Sequence, residues 1–459
     1  MKISHRIFSL IAAVGLPMVP AAAQQAAPPQ MSTLPSMAPA PVNAEVLDWT
    51  SDADGLAAAN HLIALLEKAH IEGFTQGPVM AAQARAALAQ ASLANSVAAA
   101  NANRYLTDAF LDYAEFLQAP VSSVLYGDDW ARPPRLSRSV ILRNGHAVPS
   151  LEALVKRTTR INPIYAALKE AALGAELDAD AKNKVIASLN RARAFPDRGR
   201  FVLVDSATQR LWMVENGHVV DHMKVVVGKA EDPYLHTPEI SSVIYYSTHN
   251  PYWHVPKHLV RGYLADGVLR EGVRYLERNG YEVLASLSEN APVIDPSTVN
   301  WKEVKKTGNL AVRQLPSESN SMGDIKFNFA NPEGIYLHDT PKKEYFGYTE
   351  RDLSNGCIRL EDAFRFARWL WKGQGVPQVA ETEKHLVIPE PVPVFVSYLT
   401  AHAMDGQLVF AKDIYRRDAQ TLAQVAALNQ RAGVGVQAAT APQPAAQPAT
   451  QGAPAPTVR

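Results

Sequence analysis

The hydrophobic pattern changes period at Phe201, and that change divides the chain. Before it, Leu62, Leu65, Leu66 and Ala69 recur at i, i+3, i+4 and i+7, and Leu106, Phe110, Tyr113 and Leu117 hold one face until Pro120. Such spacing lines one side of a helix. Asn162-Pro163 offers a cap and a first-turn proline to the helix that carries Tyr165, Leu168 and Ala172. After Phe201, Phe201 to Val204 reads as a strand, and Arg210 to Glu215 and His218 to Val227 flank an Asn216-Gly217 turn, a strong hairpin signal. A strand near Val243 to Tyr246 leads into Asn250-Pro251-Tyr252-Trp253, where Pro251 and Pro256 predict a loop. The expected fold class is α+β, with an all-helical scaffold over residues 45–197 and a mostly β domain over residues 198–420.

Alternation stops between Pro256 and Gly308, where Leu259, Leu264, Leu269 and Tyr275 sit in a charged, helix-like segment and Ser297 to Trp301 turns into a short helix. An inserted helical subdomain is expected over about 256–308. Strand character returns in Ile325, Phe327 and Phe329, with Lys326 and Asn328 opposite. Glu361 to Lys372 predicts a helix stopped by Gly373, and Val392 to Thr400 and Leu408 to Ala411 predict closing strands around Asp405-Gly406. Residues 430–459, rich in Ala, Pro and Gln, are expected to be disordered.

At the other end, Lys2 and Arg6 precede an apolar run from Ile7 to Val19 and then Ala21-Ala22-Ala23. Residues 1–23 therefore read as a cleavable signal peptide too short to span a bilayer, and 24–44 as a disordered linker. An exported, periplasmic protein is expected, with no transmembrane segment after signal cleavage. Lys+Arg and Asp+Glu both number 45, so nothing favours a nucleic-acid partner. Of 13 histidines only His249, His254 and His258 cluster, Pro256 interrupts them, and no HExxH occurs. Neither a metal nor another cofactor is expected.

Cys357 is the only cysteine. In an oxidising compartment a lone thiol is inert, intermolecular or reactive. A period of two sends Tyr336 and His338 to one face of a strand and Ile335 and Leu337 to the other; Cys357 and Arg359 share a face in the same way, opposite Ile358 and Leu360. Two short strands can then present thiol, imidazole, phenol and guanidinium to one pocket. The imidazole would take the thiol proton and stabilise the thiolate, and the helix after Leu360 would bring its positive end close enough to lower the thiol pKa. Gly356 would let substrate approach the backbone, and amides around Cys357 could hold an oxyanion. Asp339 would point away from His338 and is not expected to be a triad acid.

His338, followed after 15 residues by Ser354-Asn355-Gly356-Cys357-Ile358-Arg359, resembles the signature of the L,D-transpeptidase (YkuD-like) catalytic domain. The resemblance extends through Asn250 to Pro256, Ile325-Lys326-Phe327 and Tyr336 to Thr340, and is greatest to the large periplasmic YcbB-like branch, which carries a helical scaffold and a capping subdomain. It implies a peptidoglycan L,D-transpeptidase of cell wall biogenesis with catalytic Cys357, His338 and Arg359. Tyr336, Trp253, Ser354, Asn355 and Gly356 would bind substrate, with Trp253 on a loop bordering the donor groove. The partners would be peptidoglycan stem peptides as donor and acceptor, with an outer-membrane protein as an alternative acceptor. An L,D-carboxypeptidase or wall-protein hydrolase using the same acyl-enzyme, and a non-catalytic wall-binding scaffold, remain as alternatives. Two departures stand out. Most relatives have histidine where this chain has Asn355, and the wall-binding module that usually interrupts the helical region has no counterpart between the Tyr165 helix and residue 198.

Overall fold

The computed structural model describes residues 46–92, 96–128, 131–133, 135–288 and 290–440. The expected signal peptide, the linker up to residue 44 and the last part of the expected tail, 441–459, lie outside the described residues. The first half is helical: Ala53–Lys68, Gly77–Ala91, Ser96–Leu117, Arg138–Ala147, Leu151–Thr159, Pro163–Leu173 and Ala179–Ala192. Most of these helices start on a side-chain cap, Asp52, Ser137, Ser150, Asn162 and Asp178 each accepting a hydrogen bond from a first-turn amide. Trp49, Leu62, Leu66, Phe74, Phe110 and Tyr113 fill the common core. Within it the buried carboxylate of Glu72 accepts from Tyr113 at 2.8 Å, Tyr165 at 2.6 Å and Lys169 at 2.8 Å, which ties three helices together.

The mostly β domain is built on a sheet that closes on itself. The strands run in the order Ile240–His249, Ile325–Phe329, Leu337–His338, Ile358–Leu360, His218–Gly228, Arg210–Glu215, Arg200–Asp205 and Lys384–Ser397, and the last pairs back onto the first. Closure removes free edges and encloses Val204, Leu211, Val225, Leu337, Ile358 and Leu360. Helix Ala363–Leu370, capped by Asp362, seals one end with Phe366, whose ring lies 4.8 Å from that of Phe327. In the first hairpin Asn216 (φ 51°) and Gly217 (φ 85°) both adopt the left-handed conformation that a two-residue turn of matching twist needs.

Three expectations are corrected. The inserted segment is not helical alone: with helices Ala265–Glu271, Arg274–Arg278 and Trp301–Thr307 it contains a four-stranded sheet, ordered Trp253–His254, Ala311–Gln314, Tyr281–Leu284 and Val293–Ile294. These strands have two to four residues, too few to register a period of two, yet they bury Val283 and Val312 in a core of their own. Near the C-terminus, Gln407–Phe410 pairs with Ala401–Met404 around Asp405-Gly406, while the strand expected to be its partner runs as Lys384–Ser397 into the main sheet.

The chain then forms helix Asp418–Thr440, so residues 430–440, expected to be disordered, are helical. This helix returns to the scaffold against Ser96–Leu117 and Ala179–Ala192. It buries Val425, and the Asn429 side chain bridges to the Gly73 carbonyl at 2.6 Å and the Thr75 amide at 3.0 Å. Alanine-rich composition suits a helix once one face is covered. Among the described residues no helix is long and apolar enough to cross a membrane.

Candidate active site

Two short parallel strands set the site. Leu337 pairs with Ile358 and His338 with Arg359, and the two apolar members are fully buried in the barrel core. On its other side His338 pairs with Lys326 across an antiparallel register. Burying Leu337 and Ile358 inward thus places His338 between two cationic residues, with half-buried Cys357 at the head of the second strand.

The loop that delivers Cys357 is held from several directions. Ser354 Oγ donates to the Cys357 carbonyl at 2.6 Å and accepts from the Gly356 amide at 3.2 Å. Gly356 has φ +111°, a region that favours glycine. Its carbonyl accepts from Thr237 Oγ1 at 2.8 Å, and the same hydroxyl accepts from the Gly228 amide at 2.9 Å. Behind Thr237, the Tyr415 hydroxyl donates to the Gly228 carbonyl at 2.6 Å, and Arg417 Nη2 donates to the Thr237 carbonyl at 3.0 Å. The Cys357 amide has no hydrogen-bond partner among the described residues, which leaves it available to an oxyanion.

The electrostatics differ from the expected thiolate–imidazolium pair. Burial pushes the Cys357 thiol above its ordinary pKa; the Tyr336 amide, then Arg359 and Lys326, pull in the opposite direction without prevailing. The helix expected to help lower it follows as Ala363–Leu370, and the net shift is nonetheless upward. Cys357 Sγ faces the Gly334 carbonyl at 3.8 Å, and no hydrogen bond joins it to His338 among the described residues. His338 is buried, and burial followed by the charge of Arg359 drives its pKa down to about 3. Its Nδ1 lies 2.5 Å from the Asp339 carbonyl, which can only accept, so the proton sits on Nδ1 and the lone pair on Nε2. The resting pair is a neutral thiol beside a neutral base, an arrangement that suits proton transfer concerted with attack.

Asp339 turns away from the imidazole: Lys343 Nζ donates to its carboxylate at 2.6 Å and the Asp324 amide at 3.2 Å. Arg359 lies 5.6 Å from the Tyr345 ring, and its buried Nε has no partner. Tyr336 is half-buried, its phenol pushed above the ordinary pKa by burial and then by the neighbouring Cys357. Asn355 is exposed on the loop before Gly356. Cys357, His338, Arg359, Tyr336, Asn355 and Gly356 therefore share one locality.

Two expected substrate-binding residues also make contacts of their own within the fold. The Ser354 hydroxyl is consumed within the loop, and Trp253 lies in a strand rather than a loop, packed on the core of the inserted subdomain 6.4 Å from the Tyr281 ring. The residues that went unassigned are Lys326, Glu383 and Thr237. Lys326 Nζ pairs with Glu383 at 2.9 Å, and the other Glu383 oxygen accepts from the Tyr252 amide at 2.6 Å, where the inserted subdomain begins. A lysine on the face opposite Ile325 and Phe327 was a usable signal for the first of these. Among the described residues no group of three or more His, Cys, Asp or Glu side chains converges as a metal site.

Residues 199–387 match the family model of the L,D-transpeptidase catalytic domain, YkuD, and residues 44–171 match that of the Scaffold domain. A protein of Haemophilus influenzae named "Putative L,D-transpeptidase" is 29% identical over 247 residues, covering 52% of this chain and 48% of the relative. The chain thus spans about half the length of the curated relative it matches.

Proposed function

We propose that this chain, which carries a YkuD L,D-transpeptidase catalytic domain behind a Scaffold domain, is an exported peptidoglycan L,D-transpeptidase that forms 3-3 cross-links through a cysteine thioester. Cys357 attacks the carbonyl that joins the L-centre of a tetrapeptide's diamino acid to the terminal D-Ala. His338 Nε2 takes the thiol proton during the attack and gives it to the departing D-Ala amine. The tetrahedral oxyanion is received by the Cys357 amide, and the charge of Arg359 favours it across the site. The side-chain amine of a second stem's diamino acid then attacks the thioester, losing a proton to His338 Nε2, and the imidazole passes that proton to the departing Cys357 sulfur.

The observation that carries this reading is the parallel register of Leu337–His338 with Ile358–Arg359, which sets the chain's sole thiol, at the head of the second strand, beside the strand bearing a buried imidazole whose Nδ1 proton is committed to a backbone carbonyl. The inserted subdomain favours amine over water as acceptor, since Glu383 anchors its first residues beside Lys326 and so brings a wall to the site. The same thiol is expected to be acylated by a carbapenem.

The experiment is mass spectrometry of tetrapeptide muropeptides incubated with the mature protein and with Cys357→Ala. Cross-linked dimers lacking one D-Ala, absent with the variant, are expected. Tripeptide alone would make the protein a carboxypeptidase instead, and equal products from both proteins would remove Cys357 from the chemistry.

A further inference from the structure

A cavity of about 840 Å³ opens in the scaffold domain beside the C-terminal end of helix Ser96–Leu117 and beneath helices Arg138–Ala147 and Leu151–Thr159. It shares no lining residue with the Cys357 site. Part of its wall is apolar, from Leu117, Val121, Ile161 and Phe195. Arg193 also lines it, with only 8% of its surface exposed. Its Nη1 donates to the Phe116 carbonyl and its Nε to the Asn190 carbonyl at 3.2 Å, but Nη2 has no partner.

No carboxylate pairs with Arg193 among the described residues. Glu72 is close enough to affect its charge, yet that carboxylate is already engaged by Tyr113, Tyr165 and Lys169. A guanidinium taken out of water without a counter-charge is unfavourable, and burial pulls this one below its ordinary pKa. At the rim stand Arg135 and Arg157, exposed and without ion-pair partners among the described residues. Among the described residues the one acidic member of the wall, Asp197, is bound to Arg160 at 2.8 Å. Among the described residues the cavity therefore has an excess of positive charge both inside and at its mouth.

We propose that this cavity binds a short acidic peptide, its carboxylates met by the exposed Arg135 and Arg157 and drawn inward by the uncompensated charge of buried Arg193. Guanidinium forks match carboxylate oxygens, and the volume suits a ligand of a few residues. Asn144, whose side-chain amide makes no hydrogen bond among the described residues, offers a donor and an acceptor to a peptide backbone, which an acyl chain would not use. The apolar wall takes the side chains between the charges.

The test is calorimetric titration of the full chain with the tripeptide Ala-Glu-Ala, with its doubly amidated counterpart Ala-Gln-Ala amide, and with phosphatidylglycerol vesicles. Saturable binding of the acid is expected, weakened about tenfold or more by amidation and by the double variant Arg135→Ala, Arg157→Ala, and falling with added salt. Arg193→Met, which removes the buried charge, should weaken it severalfold; the exposed double variant keeps the test decisive if that buried change prevents folding. Equal affinity for acid and amide, or no effect of the double variant, would overturn the proposal. So would vesicle binding with this arginine dependence when the tripeptide shows none.

Discussion

The Thr237 hydroxyl donates a 2.8 Å hydrogen bond to the carbonyl of Gly356, the residue immediately before the thiol, while accepting one at 2.9 Å from the Gly228 amide. Thr237 is fully buried, so neither backbone group can turn to water if the hydroxyl is lost. Thr237→Val should cost about 1–3 kcal/mol in stability through the two orphaned groups. A small displacement of the loop should also slow carbapenem acylation of Cys357 by roughly tenfold or more. Thr237→Ser, which keeps the hydroxyl, should restore most of the acylation rate. Stopped-flow acylation and denaturant titration of the three proteins separate positioning from stability; an unchanged rate in the valine variant would assign Thr237 to stability alone.

His338 links stability to pH. Its pKa in the folded protein is about 3, below the ordinary histidine value of 6.5, so between these values the unfolded chain binds a proton that the folded protein refuses. The stability associated with the neutral ring is complete above pH 6.5 and is lost progressively as pH falls toward 3. At about 1.4 kcal/mol per pH unit, the wild type should lose roughly 2–3 kcal/mol more than His338→Gln between pH 6.5 and 4.5. Urea midpoints at the two pH values measure the difference, and parallel losses in both proteins would contradict a buried neutral imidazole.

Much of this site was legible as alternation. Leu337 and Ile358 point into the core, so the faces carrying His338 and Arg359 follow from a period of two. The protonation states were not legible, because they depend on burial and on which carbonyl meets Nδ1. Thr237 is far from Cys357 in sequence and meets its loop only once the barrel closes. Trp253 was misplaced for a related reason: its two-residue strand is defined by Gln314 and Arg313 across the register, not by its own neighbours. Helix Asp418–Thr440 was hidden because its composition resembles the tail beyond it, while its binding surface comes from helices of the other half of the chain.

Arg359 lowers the pKa of both reacting groups, the thiol by stabilising its anion and the imidazole by opposing its cation. Arg359→Met should therefore raise both. Iodoacetamide alkylation of Cys357 at pH 8 should slow severalfold, with its rate still climbing at a higher pH than in the wild type. The His338 ring, followed by its NMR shifts, should protonate at a higher pH than in the wild type. A faster alkylation in the variant would show that Arg359 does not act on the thiol through its charge.

Asn355 stands exposed on the loop that presents Cys357, where a histidine would titrate near its ordinary value, unlike buried His338. In the wild type, acylation at pH 5–8 should show no inflection from an imidazole, because His338 stays neutral throughout that range. Asn355→His should add one near pH 6.5, since a cation forming beside the loop as pH falls would favour the thiolate and change the rate by a few-fold. Carbapenem acylation rates across this range, measured for both proteins, decide the point. An inflection already present in the wild type would mean that His338 titrates there, and the buried neutral base would have to be abandoned.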